Sequence, residues 1–448
     1  MKQGTTQSTK PIVLDGRTGE GGGQVVRIAC GLAALTSQAV TVVNIRGNRA
    51  GGRGRGGGSS ASHQCPALPL YQGTRSAVRV VLTALCAGLK AQHVASLSWL
   101  AMVTDAETTG LHVGSETLAF SPARPPTDLA RRCFEIEAGT DAASALLILQ
   151  AVLPYVLFAG NDANEPVVLD IRGGTNVRWS PSYEYFDQVL APTLEERFGI
   201  HIGRELTARG WNLGPRSRGH MTLTIHPVPR GRAVRFSPAP RYAFPESYRV
   251  CRVDASVIVP RASHRRVRDE LVAALGRLYP DAGVEFKVVE DSGSDARWSI
   301  LLVAHSEGGI RWARDSLFSI ANKTKLSRDG IIQHACSSLC KELYEETSLN
   351  GTVDEFLQDQ IVFLQALAEG YSSLPRGEDP AESRANASIG AVGDLAVWNM
   401  RPRRDTTHEP FGHGSTHTTT ARWVVGELLP AAKFYNRGAV VRGVGFSL

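Results

Sequence analysis

A short apolar run, Ile12-Val13-Leu14, stops at Asp15-Gly16 and gives way to Gly19-Glu20-Gly21-Gly22-Gly23. Apolar residues then recur at helical spacing: Val25, Ile28, Ala29, Leu32 and Leu35. A brief apolar run bounded by turn residues reads as a strand, and a three-to-four-residue repeat as an amphipathic helix. The stretch therefore predicts strand, glycine loop, helix. The same reading places strands at 39–45, 116–120, 134–138, 167–171 and 221–225, and helices at 75–100, 143–158 and 183–198. The 143–158 helix is expected to end near Pro154 or Gly160. Further on, 250–259, 284–289 and 298–303 predict strands and 265–279 a helix, a compact β-α-β-β run. Amphipathic helices follow at 331–344 and 353–368, the second stopped by Gly370. A last helix is expected over 421–429 and a terminal strand over 439–441.

Strands and helices recur in βαββ-like units, which predicts an α/β or α+β fold with internal structural repeats. Residues 1–10 read as a disordered tail, 11–235 and 331–448 as one large domain, and 236–330 as a smaller α/β domain between its halves. A Pro-, Arg- and aromatic-rich stretch at 234–247 forms the entry to that smaller domain. Two stretches interrupt the pattern. Residues 50–87 open with a Gly/Ser/Arg-rich segment that reads as a flexible basic loop, and 372–413 are rich in Gly, Pro, Arg and Asp.

The 448 residues suffice for two or three domains with sizeable cores. The hydrophobic fraction of 42% and charged fraction of 21% are those of an ordinary globular chain. A net charge of +6 permits a polyanionic partner. Its placement says more: Arg46, Arg49, Arg53 and Arg55 crowd together, and Arg401, Arg403 and Arg404 form a second cluster. The seven Cys lie scattered apart from Cys336 and Cys340, and no apolar segment follows MKQGTTQSTK. These features predict a reducing compartment and no secretory signal. The most apolar stretch, 143–159, is too short for a membrane span and contains Gln150 and Pro154.

Glycines before a helix let backbone N–H groups crowd around an anion, and the helix dipole adds to the attraction. Gln24 and Arg27 fall in the first turn, where the Arg fork suits a phosphate. The plainer alternative is a glycine turn with a solvated Arg. No Gly-Lys-Ser/Thr follows, which excludes a Walker A loop, and Arg27 spoils a dinucleotide fingerprint. Gln360 interrupts the apolar stripe Val353, Leu357, Ile361, Leu364, Ala368, with Asp359 beside it. Gln150 is a lone amide in LLILQAVL. Buried amides need partners, so each either braces backbone or reads a ligand. Gln92-His93 ends a Gly-Leu-Lys-Ala turn, and a lone His is most simply structural. His417 sits at the expected start of the last helix, between Thr416 and Thr418. A neutral imidazole there is a nucleophile suited to phosphorus, and a capping or surface His is the simpler reading. His408, His413 and His417 are irregularly spaced, with nothing to complete a tetrahedral zinc site. Cys336 and Cys340 read as core residues.

Seven motifs in order carry a resemblance: LDGRTGEGGGQVVR (14–27), IRGNR (45–49), GLKAQH (88–93), LLILQAVLP (146–154), GGTN (173–176), DEFLQDQIVFLQALA (354–368) and THTTTA (416–421). Together they resemble the RNA 3′-terminal phosphate cyclases. The resemblance implies a large domain of repeated βαβαββ units, similar to the C-terminal domain of translation initiation factor 3, with a smaller α/β domain inserted. It implies ATP-dependent conversion of an RNA 3′-phosphate to a 2′,3′-cyclic phosphate, with Mg²⁺ or Mn²⁺ and a histidine that carries AMP. On this resemblance His417 is the nucleophile, supported by Glu20 and Arg27. Gln150, Pro154, Phe356, Leu357, Asp359 and Gln360 bind the nucleotide. Gly21, Gly22, Gly23, Gln24, Arg46, Arg49, Gln92 and His93 bind the RNA 3′-phosphate end. Glu20 and Asp359 hold the metal, and a nuclear location follows for a eukaryotic chain. The sequence departs from the family in the insertions 50–87 and 372–413 and in RGWNLGPRSRG (209–219). Two rivals remain: the non-catalytic cyclase-like proteins of pre-rRNA processing, which lack the nucleophilic histidine, and the enolpyruvyl transferases, which share the architecture.

Overall fold

The structure is a computed structural model that describes residues 10–50, 87–237, 245–320, 327–377 and 403–448. The tail at 1–9 and most of the two insertions, 51–86 and 378–402, lie outside the described residues.

The first unit runs β1 (Ile12–Asp15), α1 (Gln24–Thr36), β2 (Val40–Val43), α2 (Ala91–Thr104), β3 (Glu107–Thr109) and β4 (Leu118–Ser121). Its sheet has the order β1-β2-β4-β3, with β1 and β2 parallel (Ile12 beside Val40, Leu14 beside Val42). The second unit runs β5 (Cys133–Glu137), α3 (Ala145–Leu157), β6 (Val167–Gly173), a helical stretch, β7 (Ile202–Ala208) and β8 (Gly219–Ile225). The helical stretch joins Tyr183–Tyr185 to α4 (Ala191–Phe198) through a π-helical turn at Phe186–Leu190. The second sheet has the order β5-β6-β8-β7, the same arrangement as the first, again with its first pair parallel.

Both sheets lay their helices into one core. In α1 every residue from Gln24 to Leu35 is buried, because α2, α3 and the last helix of the chain enclose it. A Cβ on Gly31 would lie 2.5 Å from the Ala151 carbonyl oxygen, so glycine is what lets α1 and α3 cross this closely. Pro154 does not break α3, which continues to Leu157. The proline offers no N–H to the carbonyl of Gln150, but the helix is apolar and buried on all sides, and packing holds the remaining turn.

The third four-stranded sheet is built from β9 (Val250–Val259), β10 (Gly283–Asp291), β11 (Trp298–Ser306) and β12 (Arg311–Phe318), in the order β10-β9-β11-β12. On one face it packs α5 (His264–Leu278) and α6 (Arg328–Ser348) around Val267, Leu271, Trp298 and Trp312. Cys336 and Cys340 of α6 belong to this core, and burial pushes both thiols up to about 12. From the other face, Leu301, Val303 and Ala313 join the main core. Polar ties cross the same seam: Gln188 to Ser256 at 2.8 Å, Arg209 to Glu290 at 2.6 Å and Arg311 to Glu196 at 2.6 Å. The GGTN stretch sits at this seam, where Asn176 donates to Glu184 at 3.0 Å.

The chain closes with α7 (Glu355–Leu367), β13 (Tyr371–Ser373), α8 (Thr416–Leu428), β14 (Lys433–Tyr435) and β15 (Val440–Arg442). The molecule is thus a mixed α+β protein. No helix among the described residues is long and apolar enough to cross a membrane. Three expectations need correcting. Of the helix expected over 75–100, residues 75–86 lie outside the described residues and 87–90 are not helical; helix α2 starts at Ala91, so Gln92 and His93 lie in its first turn. The strands β3, β7, β12, β13 and β14 are additional to those predicted. Helix α8 begins at Thr416, five residues earlier than its apolar pattern, because Ser415 caps it by accepting from Thr418 N at 3.2 Å and Thr418 and Thr420 are buried.

Candidate active site

The glycine loop between β1 and α1 is pressed from all sides. A Cβ on Gly19 would lie 2.1 Å from Thr420 Oγ1, one on Gly22 would lie 2.2 Å from Glu20 Oε1, and one on Gly23 would lie 2.1 Å from His93 Nε2. Gly21 adopts φ +60°, which an L side chain resists. Gly23 precedes α1 and has no side chain to cap it. Glu20 supplies the acceptor instead, taking Gln24 N at 3.3 Å. The backbone N of Glu20 donates to Thr420 Oγ1 at 2.9 Å, which ties the loop to α8. Thr420 escapes the sequence reading; its hydroxyl is one of several in THTTT, and nothing local marks it out.

From this N-terminus a connected set of side chains spans five helices. Arg27 Nε donates to Gln150 Oε1 of α3 at 2.6 Å. Gln150 Nε2 donates to Gln360 Oε1 of α7 at 3.0 Å, and Gln360 Nε2 to Asp359 Oδ2 at 3.1 Å. Gln24 Nε2 donates to the same Asp359 oxygen at 2.5 Å. Gln24 Oε1 lies 3.2 Å from His417 Nδ1 on α8. Arg27 NH1 is 3.3 Å from His93 Nε2 on α2, and His93 Nδ1 takes the Lys90 backbone N at 3.0 Å. Since His93 Nδ1 is an acceptor, its proton sits on Nε2 when the ring is neutral, and Arg27 NH1 then meets it as a close contact and not as a hydrogen bond. The interrupted apolar stripes at 150 and 360 are thus explained: each lone amide finds the other.

Asp359 is the buried acid of this set. It is buried, which raises its carboxyl to about 6, against the partial opposition of His417, Gln360 and Arg27. Both donors converge on Oδ2. A carboxylate oxygen only accepts, so Gln24 must present its Nε2 to Asp359 and its Oε1 to His417. When the ring is neutral, His417 must then hold its proton on Nδ1, which leaves the lone pair on Nε2 of an exposed side chain. Through Gln24, a buried acid sets the tautomer of an exposed histidine at a helix N-terminus.

The remaining predicted residues are placed as follows. Phe356 is 39% exposed in the first turn of α7, while Leu357 is buried in the main core. Pro154 packs one turn beyond Gln150, against Gly31. Gln92 is half-buried beside His93 and takes no part in the hydrogen-bonded set. Arg46 is half-buried with φ +59° at the end of β2. The Arg49 side chain lies outside the described residues. His413 is held by Arg437 NH1 at 2.7 Å.

Glu20 and Asp359 both bond Gln24, one at its backbone N and one at its side chain. No group of three or more His, Cys, Asp or Glu able to hold a metal occurs among the described residues. Two carboxylates without thiolate suit a hard cation bound mainly through phosphate oxygens, as Mg²⁺ is, and the pair fits that use.

Relatives give the site its context. The family model for RNA 3′-terminal phosphate cyclases matches residues 76–432. A protein of Pyrobaculum aerophilum named RNA 3′-terminal phosphate cyclase is 27% identical over 379 residues, covering 84% of this chain and 91% of its own. One of the same name from Drosophila melanogaster is 26% identical over 389 residues, covering 85% and 90%. One from Methylococcus capsulatus is 33% identical over 214 residues, covering 47% and 48%. With a match that runs from the stretch before α2 to the end of α8, and so includes His93, Gln150, Asp359, Gln360 and His417, this chain belongs to the RNA 3′-terminal phosphate cyclase family.

Proposed function

We propose that this protein uses ATP to convert an RNA 3′-terminal phosphate into a 2′,3′-cyclic phosphate, by way of AMP carried on His417. The observation that supports this most directly is the Asp359–Gln24–His417 alignment, which places the proton of a neutral His417 ring on Nδ1 and its lone pair on Nε2, at a helix N-terminus. In the first step Nε2 bonds to the α-phosphorus of ATP and the bond to pyrophosphate breaks. The Nδ1 proton stays on the ring, hydrogen-bonded to Gln24 Oε1, which steadies the charge that develops there. An oxygen of the RNA 3′-phosphate then takes AMP from the histidine. The neighbouring 2′-hydroxyl attacks that phosphorus, loses its proton and expels AMP.

The glycine loop (Gly21, Gly22, Gly23) and Arg27 offer N–H donors and a positive charge to the phosphates in motion. Gln150, Gln360, Phe356 and Pro154 form the nucleotide side, and Arg46, Arg49, Gln92 and His93 the RNA-end side. Glu20 and Asp359 would hold Mg²⁺ or Mn²⁺, which would supply neutralisation of phosphate charge when bound. The same reading takes the two matching four-stranded units as βαβαββ repeats like those of the translation initiation factor 3 C-terminal domain. It takes the third sheet as an inserted domain and, for a eukaryotic chain, implies a nuclear location, with a cytoplasmic one as the alternative.

The test is incubation with Mg²⁺ and ATP labelled at the α-phosphate, followed by denaturation. Acid-labile label on the wild-type chain and none on His417→Ala is the expected result. No label on folded wild-type protein would refute the reading and favour a non-catalytic relative.

A further inference from the structure

Helix α7 carries Asp359 and Gln360, and its first turn is held from the third sheet. Asp354, fully buried, caps the helix: its Oδ1 accepts from Phe356 N at 3.0 Å and from Leu357 N at 2.8 Å. Its other oxygen accepts from Ala313 N at 2.8 Å, on β12. Tyr185 adds its hydroxyl to Oδ1 at 2.7 Å.

The next residue on β12, Arg314, is 8% exposed. Its guanidinium pairs with Glu346 of α6 and reaches Glu355 of α7 at 3.4 Å. The same group lies 4.9 Å over the Phe356 ring, which Tyr185 meets edge-on at 6.1 Å. Arg376 completes the cluster, binding both oxygens of Glu346 at 2.9 and 2.7 Å. Arg314 therefore touches the helix at two consecutive residues, Glu355 and Phe356. Residues three and four positions along a helix share a face, so a shift at Phe356 is passed on to Asp359 and Gln360.

A buried ion cluster is weak evidence for stability, since apolar substitutes of similar volume often hold a fold as well. What an apolar residue would not reproduce here is a planar cation laid against the face of a half-exposed ring. We infer that Arg314 is a positioning residue for the nucleotide side of the site: from the third sheet it holds the Phe356 ring and the first turn of α7, and so the Asp359–Gln24–His417 alignment. The nucleotide role rests on the proposed function; the hold on the helix does not.

The experiment compares the full chain with Arg314→Met and Arg314→Lys by two readouts. Hydrogen exchange over 355–360 reports the first turns of α7. Self-labelling by α-labelled ATP, titrated in ATP, separates the KM for ATP from the limiting rate. Arg314→Met is expected to speed exchange there about tenfold and to raise KM about tenfold, with the limiting rate changed less than about threefold. Arg314→Lys keeps the charge but loses the fork, and should recover a large part of both. If Arg314→Met does not fold, the lysine variant carries the comparison with a smaller shift in the same sense. Unchanged exchange over 355–360, faster exchange with wild-type KM, or a loss confined to the fraction of active protein would each overturn the inference. An unlabelled wild type would refute the proposed function, and the exchange comparison would still decide whether Arg314 holds the helix.

Discussion

Gln24 and His417 are 393 residues apart in the chain and 3.2 Å apart in the fold, and the amide between them is turned by Asp359 at 2.5 Å. The order matters chemically. The acid is buried and the histidine exposed, so the side chain that meets solvent receives its tautomer from one that does not. Replacing Gln24 with Leu keeps most of the volume and removes both hydrogen bonds. Self-adenylylation should fall about 10²-fold, the scale of losing a positioned proton-transfer partner, while cooperative unfolding is retained. Wild-type labelling in this variant would show that the alignment is incidental.

Asp359 makes stability depend on pH in an unusual sense. Its folded value of about 6 lies above the 3.8 usual for an aspartate. Below the unfolded value both states are protonated and nothing is lost. As pH rises from 4 to 6 the unfolded chain ionises more readily than the folded one, and stability falls by on the order of 2–3 kcal/mol. An asparagine in its place cannot ionise and still accepts from Gln24 and Gln360. Asp359→Asn should therefore melt above wild type at pH 7, with the gap closing toward pH 4, while its labelling falls for want of the carboxylate that would hold the metal. A gap that does not change with pH would contradict the assignment.

Gly23 has no space for a methyl group, with His93 Nε2 2.1 Å and Arg27 NH1 2.8 Å from where it would sit. Gly23→Ala should destabilise by about 1–3 kcal/mol and abolish labelling, because relief requires moving both His93 and Arg27. Gly276, inside α5, has nothing within 4 Å of a Cβ. Gly276→Ala should raise stability by up to about 1 kcal/mol. Chemical denaturation of the two variants, equal in added atoms and opposite in sign, checks both.

Arg27 and Gln150 meet at 2.6 Å and act as one unit. Arg27→Ala should slow turnover about 10²-fold through lost phosphate stabilisation. Gln150→Ala frees the guanidinium to swing and should cost a similar order. The double variant should be little slower than the worse single one. Multiplying effects would show that the two residues serve separate steps.

Much of the scaffold is readable along the chain. The buried strands β6 and β9 and the helices α1 and α5 announce themselves through period and turn residues. The edge strands β3 and β7 do not: β3 is exposed at every position and β7 at three of seven, so neither alternates clearly. The site is legible as a set of anomalies. Gln150 and Gln360 stand out as amides on apolar faces, Arg27 as a cation behind a glycine loop, and His417 as a histidine at a helix start.

Consecutive residues carry the local energies, and those are enough to locate helices, turns, the glycine loop and the polar residues that burial would leave unsatisfied. They do not say who satisfies them. Gln150 pairs with Gln360 across 210 positions, and Glu20 with Thr420 across 400, because α1 is enclosed by α2, α3 and α8 at distances set by Gly31 and its neighbours. A hydrogen bond is decided within a few tenths of an ångström. That precision arises only when whole helices have packed, and so the pairing, the Asp359 burial and the tautomer of His417 belong to the folded molecule.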